Sequence, residues 1–224
     1  MPSRSSRWLA SAAMGVILLA PTRAVEPSAR IDVPAPAPPS ESGDHLVLRG
    51  RGHHSLGSRQ APVLMVELAD YECPFCRQYH EQVFPQIKAR YIDTGKVRYV
   101  LRDLPLDIHA QAFGAAEAAR CAGAQGRFWP MRAALSDNYQ QLSSERFAAL
   151  AKEVGLARAS FDACLREHRF AAAIRADVAD ALAARLYSTP SFVIGRPVAG
   201  GVSGVVVVGG AASALTRALD AALR

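Results

Sequence analysis

The chain has 224 residues, of which 50% are hydrophobic and 7% aromatic, and its formal net charge is +6 at pH 7. This composition is typical of a globular protein and argues against a disordered or fibrous chain, and the length allows one good core or two small ones. The basic residues are almost all arginines, scattered along the sequence rather than gathered in a stripe. We therefore expect no nucleic-acid partner.

The first 24 residues have the pattern of a cleaved signal peptide. Arg4 and Arg7 precede a run at residues 8–20 that is apolar apart from Ser11. This run is short against the roughly 20 residues that a membrane-spanning helix needs, which favours cleavage over an uncleaved anchor. We therefore expect a signal peptide at 1–24 and a mature protein in the periplasm or another extracytoplasmic or secreted location.

The next segment, residues 25–44, is rich in Pro, Ser and Ala and predicts an extended linker. After it, residues 46–48 predict a short first strand, and residues 53–60 predict a loop. The nearly continuous apolar run at 61–69, rich in Val and Leu, is typical of a buried strand. The folded unit is thus expected to begin near His45.

The motif YECPFC occupies residues 71–76, and a helix is predicted directly after it. Apolar residues recur at steps of three and four from Phe75 to Tyr91, which is the helical period. Pro85 should kink this helix. A further strand is predicted at residues 97–101.

Residues 107–186 carry no strand pattern; they are rich in Ala and predict four or five helices. Beyond them, a strand at 191–194, a glycine-rich turn at 195–204 and a strand at 205–208 predict a hairpin, which a final helix follows. This order predicts an α/β fold with the helical block inserted between two parts of one sheet. The expected boundaries are 45–106 for the first part, 107–186 for the insertion and 187–224 for the second part.

The two cysteines of the motif stand where a buried strand gives way to a helix. A Cys73 thiolate at that place faces unpaired backbone N–H groups and the positive end of the helix dipole, and both should lower its pKa. Pro74 suits the first helical turn, where a missing N–H costs little. Cys76, one turn further in, should be more buried. The pattern predicts a reactive dithiol in which Cys73 is the accessible thiol and Cys76 the resolving one.

Two other uses of the motif are weaker. A zinc site needs two more ligands, and Cys121 and Cys164 form no second pair of this spacing and have no suitably spaced His beside them. An inert disulfide across two residues is rarer still at such a turn. We therefore expect no metal and no cofactor beyond the redox-active disulfide. Since four cysteines in an exported chain favour disulfides, Cys121 and Cys164 are expected to pair, with two separate buried thiols as the alternative.

Two further positions stand out beside the motif. Glu67 lies in the apolar strand, where a carboxylate is costly to bury unless it has a task or a partner. An acid of raised pKa beneath the dithiol could take a proton from Cys76 and return it, although Glu67 could equally point outward from an edge strand. Thr189-Pro190 precedes a strand; a cis bond there would present a backbone edge to an extended substrate, although trans is commoner.

Two histidines are predicted to be structural. His80, one turn after Cys76, is expected to be a solvated helix residue, although it could sense the dithiol. His109, where the helical block begins, is expected to cap or pack.

Together these features resemble the thioredoxin-fold DsbA-like thiol:disulfide oxidoreductases. The resemblance covers roughly residues 54–223. It rests on YECPFC after an apolar strand, on the Glu six residues before the first cysteine, and on the Thr-Pro pair before the last hairpin. The segments 102–112, 118–129 and 161–165 are similar to the variant with shortened helical insertions.

The resemblance implies a thioredoxin fold with an inserted all-helical subdomain. It also implies Cys73 as the nucleophile, Cys76 as its partner, Pro190 as the cis-proline and Glu67 as the buried acid. The expected substrate contacts are Thr189, Pro74 and Phe75.

This chain departs from the family in two places. Many members have a His where Phe75 stands, and the turn at 195–204 is longer and more glycine-rich than usual. Since that His stabilises the thiolate, we expect a Cys73 pKa below that of free cysteine but above the family's lowest value.

The implied activity is oxidation of dithiols in exported proteins by a monomer that a membrane redox partner recycles. A reductase or isomerase of the same fold is one alternative. A thiol-based copper carrier or a redox-silent chaperone is another.

Overall fold

The computed structural model describes residues 46–49 and 54–224. The predicted signal peptide and linker lie outside the described residues. The described residues all belong to one compact unit, Glu41–Arg224. In this part of the chain, no helix combines the length and the apolarity needed to cross a membrane.

The described residues form one six-stranded sheet and eight α-helices. The sheet order is β1-β6-β5-β3-β4-β2. The strands are β1 (Leu46–Arg49), β2 (His54–Leu56), β3 (Val63–Ala69), β4 (Val97–Asp103), β5 (Ser191–Val198) and β6 (Gly201–Val208). The helices are α1 (Pro74–Gln82), α2 (Phe84–Ile87), α3 (Ala112–Gly123), α4 (Phe128–Asp137), α5 (Ser144–Glu153), α6 (Arg158–Arg166), α7 (Ala171–Ala183) and α8 (Ala212–Ala222).

Strand β3 lies inside the sheet, parallel to β4 and antiparallel to β5. Its successive side chains point to opposite faces, and both faces are covered, which is why the strand is apolar almost throughout. On one face Met65 and Tyr99 pack in a cluster with α1, α3, α4 and α8. On the other, Val66 and Val100 pack in a cluster with Leu186. The predicted α/β architecture is confirmed, and the carboxyl end of β3 leads directly to the motif.

The helices α3 to α7 lie between β4 and β5 in the sequence, and a disulfide joins two of them. Cys121 of α3 is bonded to Cys164 of α6. One break between these helices was missed by the sequence pattern: α6 ends at Arg166 and α7 begins at Ala171. His168 lies in this break with a φ of 47°, in the left-handed region.

Buried ion pairs tie this helical segment to the sheet. Arg102 of β4 contacts Asp177 of α7 at 2.7 Å, and Arg120 of α3 contacts Asp103 of β4 at 2.6 Å. Arg120 also pairs with Asp177. Loss of one partner would leave an uncompensated buried charge, so these pairs fix α3 and α7 against the strand next to β3.

Two of the predicted loops are too long, because strand residues occupy part of each. Residues 54–56 form β2, which pairs with β4 at the edge of the sheet. Three residues are too few to show a strand pattern, and only pairing with β4 makes them one. The turn predicted at 195–204 is also too long, because β5 runs to Val198 and β6 begins at Gly201. Gly195 lies opposite Gly204 in this pair, and a Cβ on Gly195 would overlap the backbone of the facing strand. These two glycines therefore serve close strand contact rather than a turn.

The helix after the motif is broken rather than kinked. Helix α1 ends at Gln82, α2 begins at Phe84, and a π-helical turn follows at Lys88–Ile92. Pro85 lies in the first turn of α2, where its missing N–H leaves no intrahelical bond unmade.

Candidate active site

The dithiol lies at the junction of β3 and α1. Strand β3 ends at Ala69 and α1 begins at Pro74, so Cys73 occupies the N-cap position and Cys76 the first turn. Both are free thiols, and both are buried, with 4% and 3% of their surface exposed. Exposure therefore hardly distinguishes them, and the difference that the sequence predicted must come from their electrostatic surroundings.

Cys73 lies where its thiolate is stabilised. A hydrogen bond from Cys76 is the main cause that lowers the pKa of Cys73, to about 6. Hydrogen bonds from the backbone N–H groups of Cys76 and Phe75 add to this effect, and burial opposes it. These backbone groups belong to the first turn of α1, where N–H groups have no helical partner. This value lies between that of free cysteine, about 8.5, and the lowest of such motifs, about 3.5.

Cys76 behaves in the opposite way. Burial raises its pKa well above the ordinary value, and the hydrogen bond to Cys73 and the negative charge of Glu67 raise it further. In the reduced protein near neutral pH, the pair is therefore a thiolate at Cys73 and a thiol at Cys76. Such a pair has one sulfur ready to act as nucleophile or leaving group and one that keeps its proton.

The Thr189-Pro190 bond is cis and lies against the motif. The Cys73 thiol donates to the Thr189 carbonyl oxygen at 3.4 Å. An open groove of about 570 Å³ begins here, and its lining includes Phe75, Thr189, Pro190 and Val208. Phe75 is 65% exposed and offers an apolar surface beside the sulfur. The structure thus brings two of the three expected substrate contacts to one groove, whereas Pro74 does not line it.

Glu67 lies beneath the dithiol and is completely buried. Its carboxylate is 2.9 Å from His80 Nε2 and accepts a hydrogen bond from the Tyr99 hydroxyl. The expectation of a raised pKa is wrong: burial raises the pKa of Glu67, but the charge and hydrogen bond of His80, with Arg132 and Tyr99, lower it overall. The alternative of an outward-pointing acid on an edge strand is also wrong, because β3 lies inside the sheet.

His80 is not the solvated residue that the sequence predicts. Its side chain is 5% exposed, and burial lowers its pKa. Its Nδ1 has no hydrogen-bond partner among the described residues. His80 lies four residues after Cys76, so both project from the same face of α1.

Two residues that act on Glu67 were not predicted from the sequence. Tyr99 lies two residues before the β4 residue that pairs with Glu67, and Arg132 comes from α4. Tyr99 could have been found from strand pairing. Nothing in the sequence near the motif points to Arg132.

His109 contacts the turn that leads into the motif. Its Nδ1 is 2.8 Å from the carboxylate of Asp70, the residue that follows β3. In residues 46–49 and 54–224, no group of three or more His, Cys, Asp or Glu side chains could hold a metal ion.

The comparisons with known proteins agree with this geometry. A family model described as "Thioredoxin" matches residues 50–202. The chain is 38% identical to the "Na(+)/H(+) antiporter NhaA 3" of Salinispora tropica over 142 residues, which cover 63% of this chain and 21% of that protein. It is 30% identical to the "Putative protein-disulfide oxidoreductase RC0029" of Rickettsia conorii over 149 residues, covering 62% of this chain and 52% of the relative. It thus spans between about a fifth and about half of their lengths.

Solved structures of the same fold include alpha-DsbA1 of Wolbachia pipientis. The TM-score is 0.62 at 26% sequence identity, and the match covers 75% of this chain and 89% of that one. The predicted thioredoxin fold is confirmed by these matches. The chain belongs to the thioredoxin family, and its fold is similar to that of the DsbA protein of Wolbachia pipientis.

Proposed function

We propose that this protein is an exported enzyme that oxidises the dithiols of other proteins with its Cys73–Cys76 disulfide. The proposal rests on the opposite pKa shifts of the two cysteines in the motif. The pKa of Cys73 is lowered to about 6, while that of Cys76 is raised well above its ordinary value. A disulfide oxidises well when its reduced form is the more stable one, and a Cys73 thiolate held by the helix N-terminus stabilises that form.

The reaction proceeds in two exchanges. A substrate thiolate attacks the Cys73 sulfur, and the bond to Cys76 breaks with its electron pair on Cys76, which takes up a proton. A second substrate thiolate then attacks the substrate sulfur of the mixed disulfide, and Cys73 leaves as a thiolate. The substrate has lost two electrons and gained a disulfide, and the protein has gained both electrons and one proton. The low pKa of Cys73 makes it the better leaving group in the second exchange.

The groove beside Cys73 would hold the substrate. An extended segment lying against Thr189 and Pro190 can pair with the backbone of Thr189, and Phe75 offers it an apolar contact. During re-oxidation the Cys76 thiol must lose its proton, and we assign its acceptance to Glu67 together with His80. A membrane redox partner would re-oxidise the cysteine pair by accepting its electrons. The substrates would be exported proteins with thiols. The enzyme would act on them as a monomer outside the cytoplasm.

The reduction potential of the pair tests the direction of the reaction. Equilibration with glutathione buffers, followed by mass shift after alkylation, should give a value above about −270 mV, the potential of thioredoxin. A value at or below that would favour a reductase. Cys76→Ser should trap mixed disulfides with reduced substrate proteins, whereas Cys73→Ser should trap none.

A metal titration of the reduced protein, beside an insulin-reduction assay, separates this function from the copper-carrier and chaperone alternatives. Tight copper binding without exchange would contradict the oxidase proposal. Exchange without tight binding would support it.

A further inference from the structure

The loop after β4 is hydrogen-bonded to the turn that precedes the reactive cysteine. The backbone N–H of Leu106 donates to Asp70 Oδ2 at 2.8 Å, and the N–H of Gln111 donates to the Glu72 carboxylate. The Asp70 carbonyl oxygen accepts from the N–H of Cys73 at 3.3 Å. The loop and the dithiol turn therefore form one hydrogen-bonded unit, and side chains of the loop are held near Cys73.

His109 projects from this loop onto the same carboxylate. Its Nδ1 is 2.8 Å from Asp70 Oδ2; the Asp70 side chain is fully buried, and that of His109 is 20% exposed. A buried carboxylate at hydrogen-bond distance favours the charged imidazolium over the neutral ring. Asp70 also fixes which ring nitrogen faces it, since Nδ1 must carry the proton that is donated.

The charged groups that raise the pKa of the His109 imidazole are all negative: Asp70, the Cys73 thiolate and Glu72. Burial lowers the pKa of His109, but the hydrogen bond and charge of Asp70, followed by the charges of Cys73 and Glu72, raise it overall. Phe75, between the two cysteines, has a side chain with no charge and no hydrogen-bonding group. A positive charge on His109 thus acts at a motif whose own side chains provide none.

We propose that His109, oriented by Asp70, places a positive charge beside the Cys73 thiolate and thereby increases the oxidising strength of the dithiol. The inference rests on the proposed function, because it concerns what tunes the Cys73–Cys76 pair. His109 is a tuning residue: it acts by its charge on the thiolate and takes no part in bond making.

The coupling between the two groups must be reciprocal. If the imidazolium stabilises the thiolate, the thiolate must stabilise the imidazolium by the same free energy. Oxidation of the pair removes the thiolate charge, so the pKa of His109 must be lower in the oxidised protein than in the reduced one. A histidine that only packs or caps would titrate alike in both.

His109→Gln tests the proposal, since the amide can still donate to Asp70 but carries no charge. His168→Gln is the matched control: His168 Nδ1 lies 3.1 Å from the Glu117 carboxylate, but its side chain is 70% exposed and lies between α6 and α7. The ultraviolet absorbance of the thiolate is followed from acidic to neutral pH. We expect the thiolate fraction at the wild-type midpoint to fall about threefold to tenfold in His109→Gln and to stay unchanged in His168→Gln.

At neutral pH the equilibrium constant with glutathione should shift toward the oxidised protein by a similar factor. Should His109→Gln fail to fold, NMR titration of His109 in the wild-type protein, oxidised and reduced, gives an independent measurement. An equal pKa in both states, or an unchanged Cys73 titration in the folded variant, would overturn the inference. These outcomes leave the proposed function intact as long as the wild-type protein exchanges disulfides, whereas a wild-type protein without exchange would fail the proposed function itself.

Discussion

The chain contains two cysteine pairs that differ in almost every respect except burial. Cys73 and Cys76 lie one helical turn apart, as free thiols, at the end of a strand. Cys121 and Cys164 are 43 residues apart in sequence, and their disulfide joins α3 to α6. All four are at most 5% exposed. Burial alone therefore does not make a cysteine inert.

Charge and hydrogen bonding make the difference. Cys73 faces the N–H groups of a helix start and receives a hydrogen bond from Cys76, and both favour its thiolate. All four cysteines lie in the same buried cluster, but Cys121 and Cys164 are bonded to each other, and a bonded sulfur packs as an apolar group. In the proposed function the first pair changes its redox state, whereas the bond of the second pair constrains the chain.

Exchange activity should separate the two pairs most sharply. Cys73→Ser removes the sulfur that substrates attack, so no oxidation of reduced ribonuclease should be detectable. The double variant Cys121→Ala/Cys164→Ala should keep exchange at temperatures where it remains folded. Activity in Cys73→Ser would break the comparison and end the dithiol mechanism.

The free energy of unfolding should depend more on the Cys121–Cys164 pair than on the Cys73–Cys76 pair. Loss of the Cys121–Cys164 bond frees a loop of 43 residues in the unfolded chain, and the loop-entropy account gives roughly 4 kcal/mol of lost unfolding free energy. Urea denaturation of the double alanine variant measures this. The closed loop at Cys73–Cys76 is far shorter, so oxidation of that pair should contribute much less through the same effect. A double variant as stable as the wild type would indicate that the bond constrains little.

The stability of the reduced protein should depend on pH through Cys73. Its folded pKa of about 6 lies below the value of about 8.5 in an unfolded chain, so the stabilisation is complete above about pH 8.5, declines as pH falls, and is lost below about pH 6. Its full size is roughly 3 kcal/mol. Denaturation of the reduced wild type and of Cys73→Ser at several pH values measures this contribution together with the coupling of Cys73 to Cys76 and His109. The same pH dependence in Cys73→Ser would contradict the assignment.

The smallest expected effect concerns the resolving sulfur. Glu67→Gln keeps an acceptor for Tyr99 but removes the charge that helps to raise the pKa of Cys76. In a Cys73→Ser background, alkylation of Cys76 at neutral pH should become about threefold to tenfold faster.

The matched control for this charge removal is Glu117→Gln. Glu117 is another buried carboxylate with a histidine partner, but it lies in α3. Equal rates in both variants would show that the effect is not specific to Glu67.

Local pattern was sufficient for the main elements and insufficient for their edges. The strand around Glu67, the helix after the motif and the helical segment before Thr189 all follow from periodicity and composition over many residues. Strand β2 could not be predicted, because three residues carry no period and become a strand only by pairing with β4. The glycines of β5 and β6 were mistaken for a turn because sequence does not distinguish a glycine that bends the chain from one that lets two strands approach.

Some features of the candidate site could likewise be predicted from the sequence, and others could not. By itself the sequence determined the α/β order and the position of Cys73 and Cys76 at a strand-to-helix junction, since these depend on neighbours within a few residues. Only the tertiary structure decided which charges act on each sulfur. The pKa of Glu67 is lowered overall beside His80 and Tyr99, and a loop after β4 brings His109 to Asp70. The physical reason is that the pKa of a buried group depends on everything within a few ångströms, and packing alone brings residues distant in sequence to that range.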